Sequence, residues 1–61
     1  MIGTVKFYNE SKGYGFIQGE DGLDYFVHAS DLDGEVLRER EEVEFTPTSN
    51  ERGNKATRVS R

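Results

Sequence analysis

A chain of 61 residues has room for one small domain with a thin core, and without cysteine it has neither a disulfide to staple that core nor a thiolate for metal binding or catalysis. With His28 as its single histidine, a zinc site would have to rely on carboxylates, and the usual zinc patterns are excluded. The net charge of −4 argues against a protein that coats a polyanion through bulk electrostatics.

Residues 2–9, IGTVKFYN, are rich in β-branched and aromatic side chains and predict a first strand, with ESKG as its polar exit. No apolar run is long enough to cross a bilayer, and patterned sequence begins at Met1-Ile2-Gly3, so no signal peptide and a cytoplasmic location are expected. Residues 13–19, GYGFIQG, predict a second strand, and the Asp-Gly pair that follows favours a tight hairpin turn into DYFVHA, residues 24–29. A looser stretch from Ser30 to Glu41, centred on Gly34, precedes EVEFTPT, residues 42–48, where Val43 and Phe45 alternate with glutamates. SNERG then reads as a turn, and NKATRVSR as a fifth strand. A helical reading of EVLREREEVEF competes poorly with a short turn, because it carries β-branched residues and has little chain to spare.

Five short strands with a longer connection after the third predict an all-β fold, a five-stranded antiparallel OB barrel occupying residues 1–61 as one domain. An SH3-like barrel is the alternative. Charge is unevenly spread along this frame. Residues 31–45 set Arg38 and Arg40 against seven carboxylates, for −5, whereas residues 46–61 set Arg52, Lys55, Arg58 and Arg61 against Glu51, for +3.

Seven tyrosine and phenylalanine rings are many for a chain with so few aliphatic side chains. They could all be core, but the two-residue period of a strand separates them. Tyr14, Phe16 and Gln18 share one face of the second strand, and Phe26 and His28 one face of the third; Ile17 and Val27 lie on the opposite faces as natural core. The hairpin makes the two outward rows neighbours, and an exposed ring cluster is expensive unless something covers it. Gly13 and Gly15 are expected to leave the ring faces open. A flat aromatic platform flanked by Lys6 and Lys12 suits unstacked nucleobases, each with a π-face to stack and a phosphate that needs only a nearby cation. KGYGFI also fits the first six positions of an RNP-type pattern, with isoleucine for valine, but Gly19 stands where an aromatic would end it, and the chain lacks the length and helices of an RRM.

GTVKFYNESKGYGFI, followed by DYFVHASDL and EVEF, resembles the cold-shock domain family over essentially the whole length. The resemblance implies an OB barrel that binds single-stranded RNA and DNA with low sequence selectivity, often as an RNA chaperone. A monomer without a cofactor is expected. Carried over residue by residue, the family's stacking positions fall on Phe7, Tyr8, Tyr14, Phe16, Phe26 and His28, with Lys6 and Lys12 on the backbone path and Asp24 near a base edge. The departures are informative. Phe7 replaces a tryptophan, and simple alternation would put it with Val5 in the core. Ala29 stands where the family usually has phenylalanine, and the loop from Ser30 to Glu41 is shorter and lacks its usual aromatic. These losses would shorten the footprint or weaken binding, at ~1–3 kcal/mol per stacked base. Tyr25 takes a core valine position and must find a partner for its hydroxyl.

The remaining constellations are weak. His28 has no nucleophile at a recognisable spacing, and no acid, base and nucleophile set converges, so no enzyme is expected. Asp31, Asp33, Glu35 and Glu42 imitate calcium-loop spacing, but Val36 stands where glycine is required, which leaves a solvated acidic loop. A turn at NERGNK could bring Arg52 and Lys55 to the binding face. The rival function from another class is an SH3-like module that holds a peptide on the same rings.

Overall fold

The computed structural model describes residues 1–32 and 37–60, arranged as β1 (Ile2–Asn9), β2 (Tyr14–Gly19), β3 (Asp24–His28), a single 3-10 turn (Ala29–Asp31), β4 (Glu42–Asn50) and β5 (Gly53–Ser60). The strands close into a barrel in the order β1-β2-β3-β5-β4. All neighbours are antiparallel except β3 and β5, which meet in parallel where Phe26 faces Lys55. Parity requires this exception: strands alternating in direction around a closed ring of five must repeat a direction at one seam. The expectation of a purely antiparallel barrel is corrected at that seam alone.

Strand ends differ from expectation for local reasons. β3 stops at His28 because Ala29 begins the 3-10 turn, whose Ser30 amide donates to His28 Nδ1 at 3.1 Å. β4 and β5 extend further into the expected SNERG turn, with Asn50 opposite Gly53, so only Glu51 and Arg52 connect them. Gly53 adopts a φ of 123°, and the Arg52 amide donates to Asn50 Oδ1 at 2.8 Å. Pro47 is tolerated within β4 because β1 pairs with that strand only from Glu42 to Glu44, leaving one edge of Pro47 without a ladder. Gly34, Asp33, Glu35, Val36 and Arg61 lie outside the described residues.

The barrel interior holds Val5, Ile17, Tyr25, Val27, Leu37, Val43, Phe45, Ala56 and Val59, all buried. Tyr25 fits among them because Gly19 has no side chain to meet its ring, and its hydroxyl escapes the core to donate to Asp21 Oδ2 at 2.6 Å. That contact, reinforced by the Leu23 amide, holds the Asp21 carboxyl below the usual carboxylate range and pushes the Tyr25 phenol up.

Candidate nucleic-acid interface

Phe7 is where strand periodicity gives way to a local irregularity. Val5 stands opposite Ile17 but Phe7 opposite Phe16, so Lys6 is an extra residue in β1, a β-bulge. Up to the bulge, Gly3 and Val5 face inward; beyond it the alternation is reset, and Phe7 emerges 40% exposed on the outer face. Phe7 therefore faces outward, where the resemblance put it and against the inward position that simple alternation gave. The same reset turns Tyr8 inward opposite Gly15, half-buried against the core. A Cβ on Gly15 would lie 2.3 Å from the Phe7 carbonyl oxygen and 2.8 Å from Tyr8 Cα, so this glycine makes room for the bulged strand of the barrel itself. Its expected role in opening the rings to an incoming ligand is replaced by that one. Gly13, with a φ of 74°, serves the turn between β1 and β2.

Four rings meet on the outer face. Phe7 lies 5.6 Å from Phe16 and 6.2 Å from Tyr14, and Phe26 lies 5.7 Å from Phe16 and 5.9 Å from Tyr14, centroid to centroid. Cross-strand register explains the grouping, with Phe16 opposite both Phe7 and Phe26 and Tyr14 opposite His28. Tyr14 and Phe26 are nearly parallel at 22°, whereas Phe7 stands at 80° to Tyr14 and Phe26 at 76° to Phe16. The result is a continuous apolar surface with both ring faces and ring edges presented. His28 is exposed at its border and tied down by Nδ1, which accepts the Ser30 amide at 3.1 Å. Ala29, also exposed, leaves that end without a ring. Of the expected stacking positions, Tyr8 and His28 are outside the ring contacts among the described residues.

The cations lie around this surface in two different states. Lys6 Nζ donates to both carboxylate oxygens of Asp24 at 3.3 Å, a pair open to water on both sides. Lys55 Nζ is 3.5 Å from Asp31 Oδ2. Neither Lys12 nor Arg52 has an ion-pair partner among the described residues. The β4–β5 hairpin reaches the platform. Between Phe16 and Phe26 on one side and Asn50, Arg52 and Asn54 on the other runs a groove of about 470 Å³, bordered by Asp24 and Lys55. Sequence reasoning missed Asn50, Asn54 and the Asp31 partner of Lys55; only the β3–β5 seam brings these residues to the rings, and no local motif encodes it. Among the described residues, no group of histidines and carboxylates is arranged to hold a metal, and no helix is long and apolar enough to cross a membrane.

A closed five-stranded barrel with rings gathered on one open face and a hairpin folded beside them defines an OB-type binding module. Comparison with known families matches the "'Cold-shock' DNA-binding domain" over residues 1–61. The chain is 52% identical to "Cold shock protein 1" of Lactiplantibacillus plantarum over 60 residues, covering 93% of this chain and 91% of that one. It is 45% identical to "Cold shock-like protein CspLB" of Listeria monocytogenes over 64 residues, covering 100% and 97%, and 45% identical to "Cold shock protein CspB" of Bacillus caldolyticus over 60 residues, covering 93% and 91%. The chain belongs to the cold-shock domain family, a family of nucleic-acid-binding proteins and not of enzymes. Membership favours nucleic acid over the peptide expected of an SH3-like module.

Proposed function

We propose that the protein binds single-stranded RNA or DNA with low sequence selectivity by stacking unpaired bases on Phe7, Tyr14, Phe16 and Phe26, with His28 at the border. The observation that carries this reading is the contiguous, partly exposed ring cluster, which a folded chain of this size would otherwise bury. Stacking is tolerant of sequence because every base has a π-face, and a duplex, whose bases are already stacked, offers none. Lys6, Lys12 and Arg52 meet phosphates along the strand, Asp24 accepts from a base edge beside Phe16, and Tyr8 supports the platform from beneath. Residues 1–61 act as one monomeric unit in the cytoplasm, and the cellular role that follows from weakly selective single-strand binding is that of an RNA chaperone or a regulator of transcription or translation.

The test is a titration with oligothymidine. Phe16→Ala and Phe26→Ala are each expected to weaken binding by ~1–3 kcal/mol while the barrel stays folded. Tyr14 emission is expected to be quenched as bases stack on it. Loss of the folded state in both variants would show that the rings serve as core. Equal affinity of wild type and variants would remove the stacking mechanism.

A further inference from the structure

The two lysines that flank the rings are paired in physically different ways. The Lys6–Asp24 pair is exposed on both sides, about half of each side chain being open to water, so either partner can leave for another at little loss. In the second pair only 18% of the Asp31 side chain is exposed, against 38% for Lys55. Asp31 Oδ2 is buried and accepts no hydrogen bond, so the ammonium of Lys55 is what compensates its charge. Withdrawing Lys55 would strand a largely desolvated carboxylate, and a phosphate that came to Lys55 would find that anion directly behind the ammonium. The pair exists because two features of the fold coincide. The parallel seam sets Lys55 beside Phe26, and the 3-10 turn after β3 carries Asp31 back over β5.

We infer that Asp31 is a built-in counterion that withholds Lys55 from phosphate binding and so limits the electrostatic share of single-strand recognition at the ring face. This inference rests on the proposed function and deepens it. Lys55 borders the groove beside Phe26 yet presents to the nucleic acid a neutral pair. The remaining cations, Lys6, Lys12 and Arg52, set the charge response. A face limited in this way holds strands by their bases, and ligands that offer phosphates without stackable bases gain little from it.

The experiment measures oligothymidine affinity from low to moderate salt for the wild type, Asp31→Asn, Asp31→Ala, and the Asp31→Asn, Lys55→Gln double variant, with circular dichroism confirming that each is folded. Three available cations predict a slope of log affinity against log salt of about −2, at roughly −0.7 per phosphate, or about an 18-fold loss between 50 and 200 mM. Either neutral replacement of Asp31 frees one more cation, steepening the slope to about −2.8 and the loss to about 50-fold, with tighter binding at low salt. The double variant returns to the wild-type slope. An unchanged slope in the folded Asp31 variants overturns the inference, as does weaker binding at every salt concentration, which would make Asp31 a residue that aims Lys55 at the strand. If the wild type binds no oligothymidine, the proposed function fails instead, so the two failures are told apart.

Discussion

Tyr25 shows how a single side chain links the core to solvent chemistry. Its ring packs 5.1 Å from Phe45 inside the barrel, while its hydroxyl reaches the β2–β3 turn and donates to Asp21. The bond couples stability to pH at both extremes. Asp21 has a lowered folded pKa, chiefly through the Tyr25 hydroxyl and then the Leu23 amide, so its contribution is present above the unfolded value of about 4 and is lost as acid is added through the folded value. Tyr25 has a raised folded pKa, chiefly through the Asp21 hydrogen bond, so its contribution is complete below about pH 10 and fades as base carries the solution through the raised value. Tyr25→Phe is expected to be less stable than wild type at neutral pH, with the gap closing in strong acid and in strong base. Urea unfolding across that range measures it, and a gap constant with pH would show that the hydroxyl contributes packing alone. The sequence made half of this visible. A tyrosine at an inward strand position announces a need for a polar partner, but Asp21 becomes that partner only once the turn folds back over the barrel end. The outward rings were likewise visible from the two-residue period, whereas the Lys55–Asp31 pair was hidden because its members are far apart in sequence and meet only across the seam.

At the level of the element, β1 carries the largest departure from simple periodicity. The strand itself and its length were readable from residues 2–9, but a bulge has no side-chain signature of its own. One extra residue at Lys6 exchanges the faces of everything after it, which is why Phe7 joins the platform and Tyr8 turns toward the core. In the sequence, Phe7 and Tyr8 are adjacent aromatics with no hint of which faces out; resemblance to a family pointed outward for Phe7 and alternation pointed inward. The geometry predicts opposite outcomes for the two truncations. Phe7→Ala removes an exposed ring from the platform and is expected to weaken oligothymidine binding by ~1–3 kcal/mol with a small effect on stability. Tyr8→Ala removes a half-buried ring from over Gly15 and is expected to lower stability by ~1–3 kcal/mol, with a smaller effect on affinity measured where the variant is folded. Paired denaturation and binding curves decide the matter, and the reverse assignment would mean that the bulge does not persist in solution. The β4–β5 hairpin repeats the lesson in milder form: its turn residues, and a turn that could bring Arg52 to the binding face, were legible, but not that the ladder would run to Asn50.

Taken whole, the molecule places its core and its ring face back to back on the same strands, so that Ile17 fills the barrel while its neighbour Phe16 lies half-buried on the outer face. The barrel class was legible because strand count, turn positions and the long third connection leave few closed arrangements, whereas the parallel seam follows from closure and has no local signal. Stability and binding are therefore coupled through a thin shared sheet. At roughly 0.05–0.15 kcal/mol per residue, a chain of this length has a total stability of about 3–9 kcal/mol. Ile17→Ala, at a fully buried position, is expected to remove about 2–5 kcal/mol of it, leaving much of the population unfolded near physiological temperature. Because the deleted atoms lie on the inner face, the outer rings remain able to bind whenever the barrel forms. A ligand that binds only the folded chain, at a hundred times its Kd, adds about 2.7 kcal/mol to the stability of wild type and variant alike. For a domain of this size that corresponds to roughly 11–22 °C in melting temperature. Thermal melts followed by circular dichroism, with and without oligothymidine, should show Ile17→Ala regaining a cooperative transition in the presence of ligand, at a protein concentration well below that of the oligonucleotide. If neither melt moves at a ligand concentration a hundredfold above the measured Kd, the strand binds the unfolded chain as well as the folded one, and the assembled ring face cannot be what recognises it.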